Sequence, residues 1–181
     1  YDAKVTDDEA RFAVEIAAES TAKAEVATTL FDGELALLPP KLPAGLRVER
    51  DGNSYRLFIG KPGKYQFKLD VVAKINRAEP WNQVSFKGPL AAIASVSAQA
   101  GGADVDLQLL TGTVVESAQT NNVSRVRGFL GAEQTLALRW QSRAAEVARK
   151  AVVAAESTIT AQITPTVVKY ATQFRYDVIQ G

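Results

Sequence analysis

The chain has 181 residues, 46% hydrophobic and 23% charged, the balance of an ordinary folded protein rather than a disordered one. Twenty-one Lys and Arg against twenty Asp and Glu leave a net charge of +1, no basic footprint for nucleic acid. Cys, His and Met are absent, which excludes thiolate nucleophiles, Cys/His zinc sites, imidazole general bases and Ser-His-Asp triads.

No run approaches eighteen uninterrupted apolar residues, so no transmembrane helix is expected. An aromatic content of 8% is too low for the girdles of a membrane barrel, and membrane insertion is not expected by that route either. The chain begins at Tyr1 and holds no Met, from which it is expected to be processed or excised from a longer polypeptide.

Alternation of apolar and polar residues runs through the chain. In ARFAVEIAA, Ala10, Phe12, Val14 and Ile16 share one side, the pattern of a half-buried strand. KAEVATTLF is a weaker strand, and Pro39, Pro40 and Pro43 then make residues 39 to 45 a loop or an edge. GLRVERDGNSYRLFIG reads as a hairpin around Asp51-Gly52, with Val48 opposite Tyr55, Leu46 opposite Leu57 and Arg47 opposite Arg56. KYQFKLDVVAKI follows with Tyr65, Phe67, Leu69, Val71, Ala73 and Ile75 in phase. Sharing a face with Tyr55, Leu57 and Ile59 then requires an odd connecting loop.

The polar INRAEPWNQ at 75–83 marks a boundary between two halves. Beyond it, short strands recur about every ten residues, as in an all-β sandwich. SRAAEVARKAVVAAEST carries a helical stripe through Ala144, Val147, Ala148, Ala151 and Ala155, yet pairing with the closing strand argues otherwise. The pairing sets Ala161 by Val168, Ile159 by Tyr170, Ser157 by Thr172, Ala155 by Phe174 and Val153 by Tyr176, small against large. The reading is strand over about 151–163, with a helical turn left open at 143–150.

These patterns predict an all-β fold, an antiparallel β-sandwich of about a dozen strands with at most a short helix. Residues 1–181 would form one domain, or a two-lobed module whose lobes meet near residues 76–82. The expected core is Phe12, Val14, Ile16, Tyr55, Leu57, Phe67, Leu69, Leu138, Trp140, Phe174 and Tyr176.

Little in the sequence carries chemistry. Asp7, Asp8 and Glu9 adjoin one another but lack the spacing of a calcium loop, and Asp104 and Asp106 share a strand face without a third ligand. Neither set is expected to bind metal. Carboxylate pairs are the general acid/base chemistry left, and none stands out among twenty acidic residues, so no enzymatic activity and no cofactor are expected. Asn122-Val123-Ser124 is formally a glycosylation sequon. Trp140 belongs with Leu136 and Leu138 on a core face, whereas Trp81 lies in the polar AEPWNQ stretch, where an exposed indole could stack on a sugar or a partner surface.

The ending FRYDVIQG, preceded by ESTITAQITPTVVKYAT and by the LALRW run, resembles β-rich modules of large exported bacterial proteins of uncharacterised function. That resemblance implies an exported context, and the missing His and Cys, the absent Met and the sandwich pattern lead within it to the expectation of a non-catalytic structural or interaction module of an exported or cell-surface protein. It also implies an extracytoplasmic location, periplasmic or at the cell surface. Partners would be adjoining domains of the parent polypeptide or another protein. The alternative is a carbohydrate-binding module that meets glycan through Trp81; an exposed Trp81 beside Tyr1, Tyr55 or another aromatic would favour it.

Overall fold

Period-two alternation dominates because nearly every segment has one face to bury, and the computed structural model realises it as sixteen strands with no helix among its described residues, which are 1–102, 104–120, 122–142 and 152–179. The first seven are β1 (Asp2–Val5), β2 (Ala10–Ser20), β3 (Val26–Gly33), β4 (Leu35–Leu37), β5 (Leu46–Asp51), β6 (Ser54–Ile59) and β7 (Gly63–Ala73). The next seven are β8 (Asn76–Ala78), β9 (Trp81–Lys87), β10 (Ser95–Gly101), β11 (Val105–Leu109), β12 (Thr113–Thr120), β13 (Val123–Phe129) and β14 (Thr135–Ser142). A final pair, β15 (Val152–Ile163) and β16 (Val168–Ile179), forms a separate hairpin. The chain divides into two compact units, Tyr1–Ala144 and Ala145–Gly181.

The first unit is a sandwich. One sheet runs β12-β13-β10-β1-β2-β7-β4 and the other β11-β14-β9-β3-β6-β5, with β8 paired to β9. Its core joins both layers: the Phe12 ring from the first sheet meets Phe86 from the second edge-on at 5.0 Å, and Phe31 meets Phe86 at 6.1 Å. Val14, Tyr55, Leu57, Phe67, Leu69, Leu138 and Trp140 are buried with them, as their alternation predicts, and Ile16 packs half-buried at the margin.

The order of strands contains a repetition that no run of identical residues discloses. Adding seven to each strand number turns β2-β7-β4 of one sheet into β9-β14-β11 of the other, and β3-β6-β5 into β10-β13-β12. β1 beside β2 becomes β8 beside β9. Local geometry repeats too. β3 ends at Gly33 (φ 136°) and the residue after β10 is Gly102 (φ 129°), each where the chain crosses between sheets. The Gly33 N–H donates to the Asn53 carbonyl at 3.1 Å and the Gly102 N–H to the Asn122 carbonyl at 3.0 Å. Both asparagines immediately precede the second strand of equivalent hairpins, β5–β6 and β12–β13. Residues 1–73 and 76–142 thus share one topology, and each sheet takes strands from both. The two halves meet in one core, where Phe12 of the first packs on Phe86 of the second. The expected boundary at 76–82 falls where the second half begins, but it separates no compact unit: β8 and β9 form a hairpin there.

Several expectations are corrected. The β5–β6 loop is Gly52-Asn53 rather than Asp51-Gly52, so Val48 faces Leu57 and Leu46 faces Ile59. A shift by an even number keeps every side chain on its face, and it relieves the Arg47–Arg56 juxtaposition. Glu49 faces Arg56 instead, while the Arg47 guanidinium lies 3.9 Å from the Phe58 ring centre and pairs with Glu25 at 2.7 Å. β6 and β7 are not a hairpin. Gly60, Lys61 and Pro62 carry the chain from one sheet to the other, so Tyr55 and Leu57 enter the core from one layer and Phe67 and Leu69 from the other. One pairing departs from the antiparallel rule: β1 runs parallel to β10, filling the first sheet between the two halves.

The closing hairpin forms with strand, not helix, over 152–163, and the helical turn considered at 143–150 lies outside the described residues. Its turn centres on Pro165-Thr166, with Thr164 and Val167 closing it through N–H to carbonyl contact at 2.8 Å. Proline fits the second position of such a turn, where its fixed φ is already correct. The partners therefore move by two: Ala161 faces Tyr170, Ser157 faces Phe174 and Ala155 faces Tyr176. The larger correction concerns burial, since Phe174 and Tyr176 are 57% and 61% exposed. Alternation assigned them a shared face, but two strands alone supply no second layer to cover it.

Candidate functional site

The residues singled out for chemistry are held in structural roles. Asp7, Asp8 and Glu9 form the turn between β1 and β2, where the Thr6 hydroxyl accepts the Glu9 N–H at 3.0 Å. Asn82 Nδ2 donates to Asp7 Oδ1 at 3.1 Å and Arg77 Nη2 to the Asp7 carbonyl at 2.7 Å, tying this turn to the β8–β9 hairpin. Among the described residues no three acidic side chains are placed to hold a metal ion. In the sequon, Asn122 is an exposed hairpin residue, and Ser124 is buried with its hydroxyl donating to the Val105 carbonyl.

Trp81 is not in a loop. It is the first residue of β9, half-buried, and the Arg139 guanidinium lies 4.3 Å from its ring centre. Arg139 Nε and Nη2 also donate to Gln108 Oε1 at 2.9 and 2.7 Å, and Gln108 Nε2 donates to Asp106 at 3.0 Å. Trp81 and Asp106 are thereby joined through neighbouring side chains on β9, β14 and β11. The indole face is occupied by a cation, an arrangement with a modest stabilising effect of about 0.5–1 kcal/mol at a partly exposed site. Neither Tyr1 nor Tyr55 adjoins it: Tyr1 packs 6.3 Å from Phe86, toward the other end of β9, and the Tyr55 hydroxyl serves the Leu37 N–H at 3.2 Å.

Two surfaces were not legible as sites. The first is a groove of about 760 Å³ at one end of the sandwich, lined by Ile16, Val26, Ile59, Leu90 and Ile93. Gln134 holds its rim through Nε2, which donates to the Ala91 and Gly131 carbonyls at 3.3 and 3.0 Å. Tyr1 also lines it, and burial pushes that phenol up to about 12, so the ring stays neutral at ordinary pH.

The second is the hairpin β15–β16. One of its faces bears Ile159, Ile163, Val168, Tyr170, Phe174 and Tyr176; all six are exposed, Tyr170 at 72%. The Phe174 and Tyr176 rings stack, with centres 6.1 Å apart and planes 16° from parallel. The opposite face carries Glu156, Lys169, Gln173, Arg175 and Asp177, with Arg175 and Asp177 3.9 Å apart. Period two thus makes an amphipathic ribbon, and its apolar side is built for contact rather than for water. No protein family, curated protein or solved structure matches this chain.

Proposed function

We propose that the protein is a non-catalytic structural or interaction module of an exported or cell-surface protein, acting outside the cytoplasm, and that it engages other protein through the apolar face of β15–β16. The exposed ladder of Tyr170, Phe174 and Tyr176 carries this reading. A two-stranded hairpin is marginal by itself in water, and large exposed apolar patches mark interaction sites. The sequence resemblance of the closing segment supports the exported context. No observation favours the carbohydrate alternative, because Arg139 lies over the Trp81 ring and no second aromatic ring among the described residues is stacked with it.

Hydroxyl-radical footprinting of the full chain in dilute solution tests the reading. Tyr170, Phe174 and Tyr176 are expected to react freely while Phe12 and Trp140 stay protected. Protection of the three hairpin aromatics to the level of Phe12 would remove the docking surface and the reading with it.

A further inference from the structure

We infer that the occupant of the β15–β16 apolar face is the same face of a second copy of this chain, an inference that rests on the interaction reading above. The argument is the distribution of size across the hairpin. At the pairs Ala161–Tyr170, Ser157–Phe174 and Ala155–Tyr176, the large residue is always on β16 and the small one always on β15. The face is therefore a ridge of rings beside a trough of small residues.

A two-fold axis lying between two such faces and parallel to the strands exchanges left and right while leaving height unchanged. β16 of one copy then lies over β15 of the other, row by row: Tyr170 over Ala161, Phe174 over Ser157 and Tyr176 over Ala155. At Ile159–Thr172 the sizes reverse, and the same operation sets Ile159 of each copy over Thr172 of the other. Four rows thus pair a larger side chain with a smaller one, and at Ile163–Val168 two branched side chains of similar size meet. Packed sheets stand about 10 Å apart, a gap that such pairs fill and that two facing rings would overfill. Because the contact is isologous, closing it leaves no second patch to propagate.

The area is sufficient but small. Tyr170, Phe174, Tyr176, Ile159 and Ile163 each leave more than half of the side chain open, on the order of 100 Å² apiece for groups of this size. Two copies would bury about 1,000 Å² in total, the lower bound for specific association. The expected product is a weak, concentration-dependent dimer in which four strands form the two-layer core that two cannot.

Sedimentation velocity on the full chain across a dilution series, with radical footprinting at each concentration, tests this. The expected result is a monomer–dimer equilibrium with Tyr170, Phe174 and Tyr176 becoming protected as dimer accumulates. Phe174→Arg, which breaks the ridge, and Ser157→Trp, which fills the trough, should each weaken dimerisation at least tenfold, roughly 1.4 kcal/mol. Gln173→Arg on the polar face should leave it unchanged. A dimer that survives both disruptive variants would overturn the inference, since its interface would lie elsewhere. A monomer at every concentration with reactive aromatics would also overturn it, leaving the face as a docking surface for a different protein. A monomer with protected aromatics would overturn the interaction reading as well.

Discussion

Replacing Trp140 with Ala is expected to lower the unfolding free energy by about 3–5 kcal/mol. The indole is 1% exposed, in β14 between Leu107 of β11 and Asn82 of β9. Its Nε1 finds no hydrogen-bond partner among the described residues, so the loss is one of packing and hydrophobic burial. β14 is bordered by a strand on each side, which limits how far the sheet can collapse into the vacated space. The equivalent position in the first half is Val71 of β7, also fully buried. Urea unfolding measures the effect; a loss under 1 kcal/mol would mean that the second half contributes little to the shared core.

Gly112→Ala is expected to cost about 3 kcal/mol or more. The turn between β11 and β12 holds Gly112 at φ 81°, a conformation that strains a residue bearing Cβ. The added carbon would also meet the Phe129 carbonyl oxygen and come 3.0 Å from Leu130 Cα, backbone atoms that cannot rotate aside. Gly52→Ala provides the contrast: its φ of 60° carries strain, but nothing lies within 4 Å of the added carbon. A loss of about 1 kcal/mol is expected there. Equal losses at both positions in urea unfolding would show that the backbone contact at Gly112 is relieved at little expense.

How much of this was legible follows from what alternation encodes. The side of the strand on which Phe12, Leu57 or Leu138 lies is written in every second residue, and all three are buried as read. Which strand faces it is not written. The same phase places Leu57 and Leu69 on a common face of one sheet or on facing layers of two, and the crossing at Gly60-Lys61-Pro62 decides for the second. Register errors of two at both hairpins have the same origin, because an even slip preserves every face and leaves only turn chemistry and cross-strand charge to choose. The repetition of β1–β7 in β8–β14 was hidden because equivalent positions keep burial and not identity: Val71 answers Trp140, and Tyr55 answers Ser124. Trp81 was misplaced because neither its pairing with Ala78 at the start of β9 nor the cover of Arg139, 58 residues on in the sequence, is written in its polar neighbours. Phe174 and Tyr176 carry the strongest alternation of all, and the alternation marks a face that needs a partner without naming one.

The most direct measurement of the central claim, that the aromatic side of β15–β16 is a surface rather than part of a core, is the stability of Phe174→Ala by urea unfolding in dilute solution. The account predicts a value within about 0.5 kcal/mol of the unsubstituted chain, as for other exposed positions. A loss approaching that of Trp140→Ala would contradict it, showing that Phe174 is packed in the monomer.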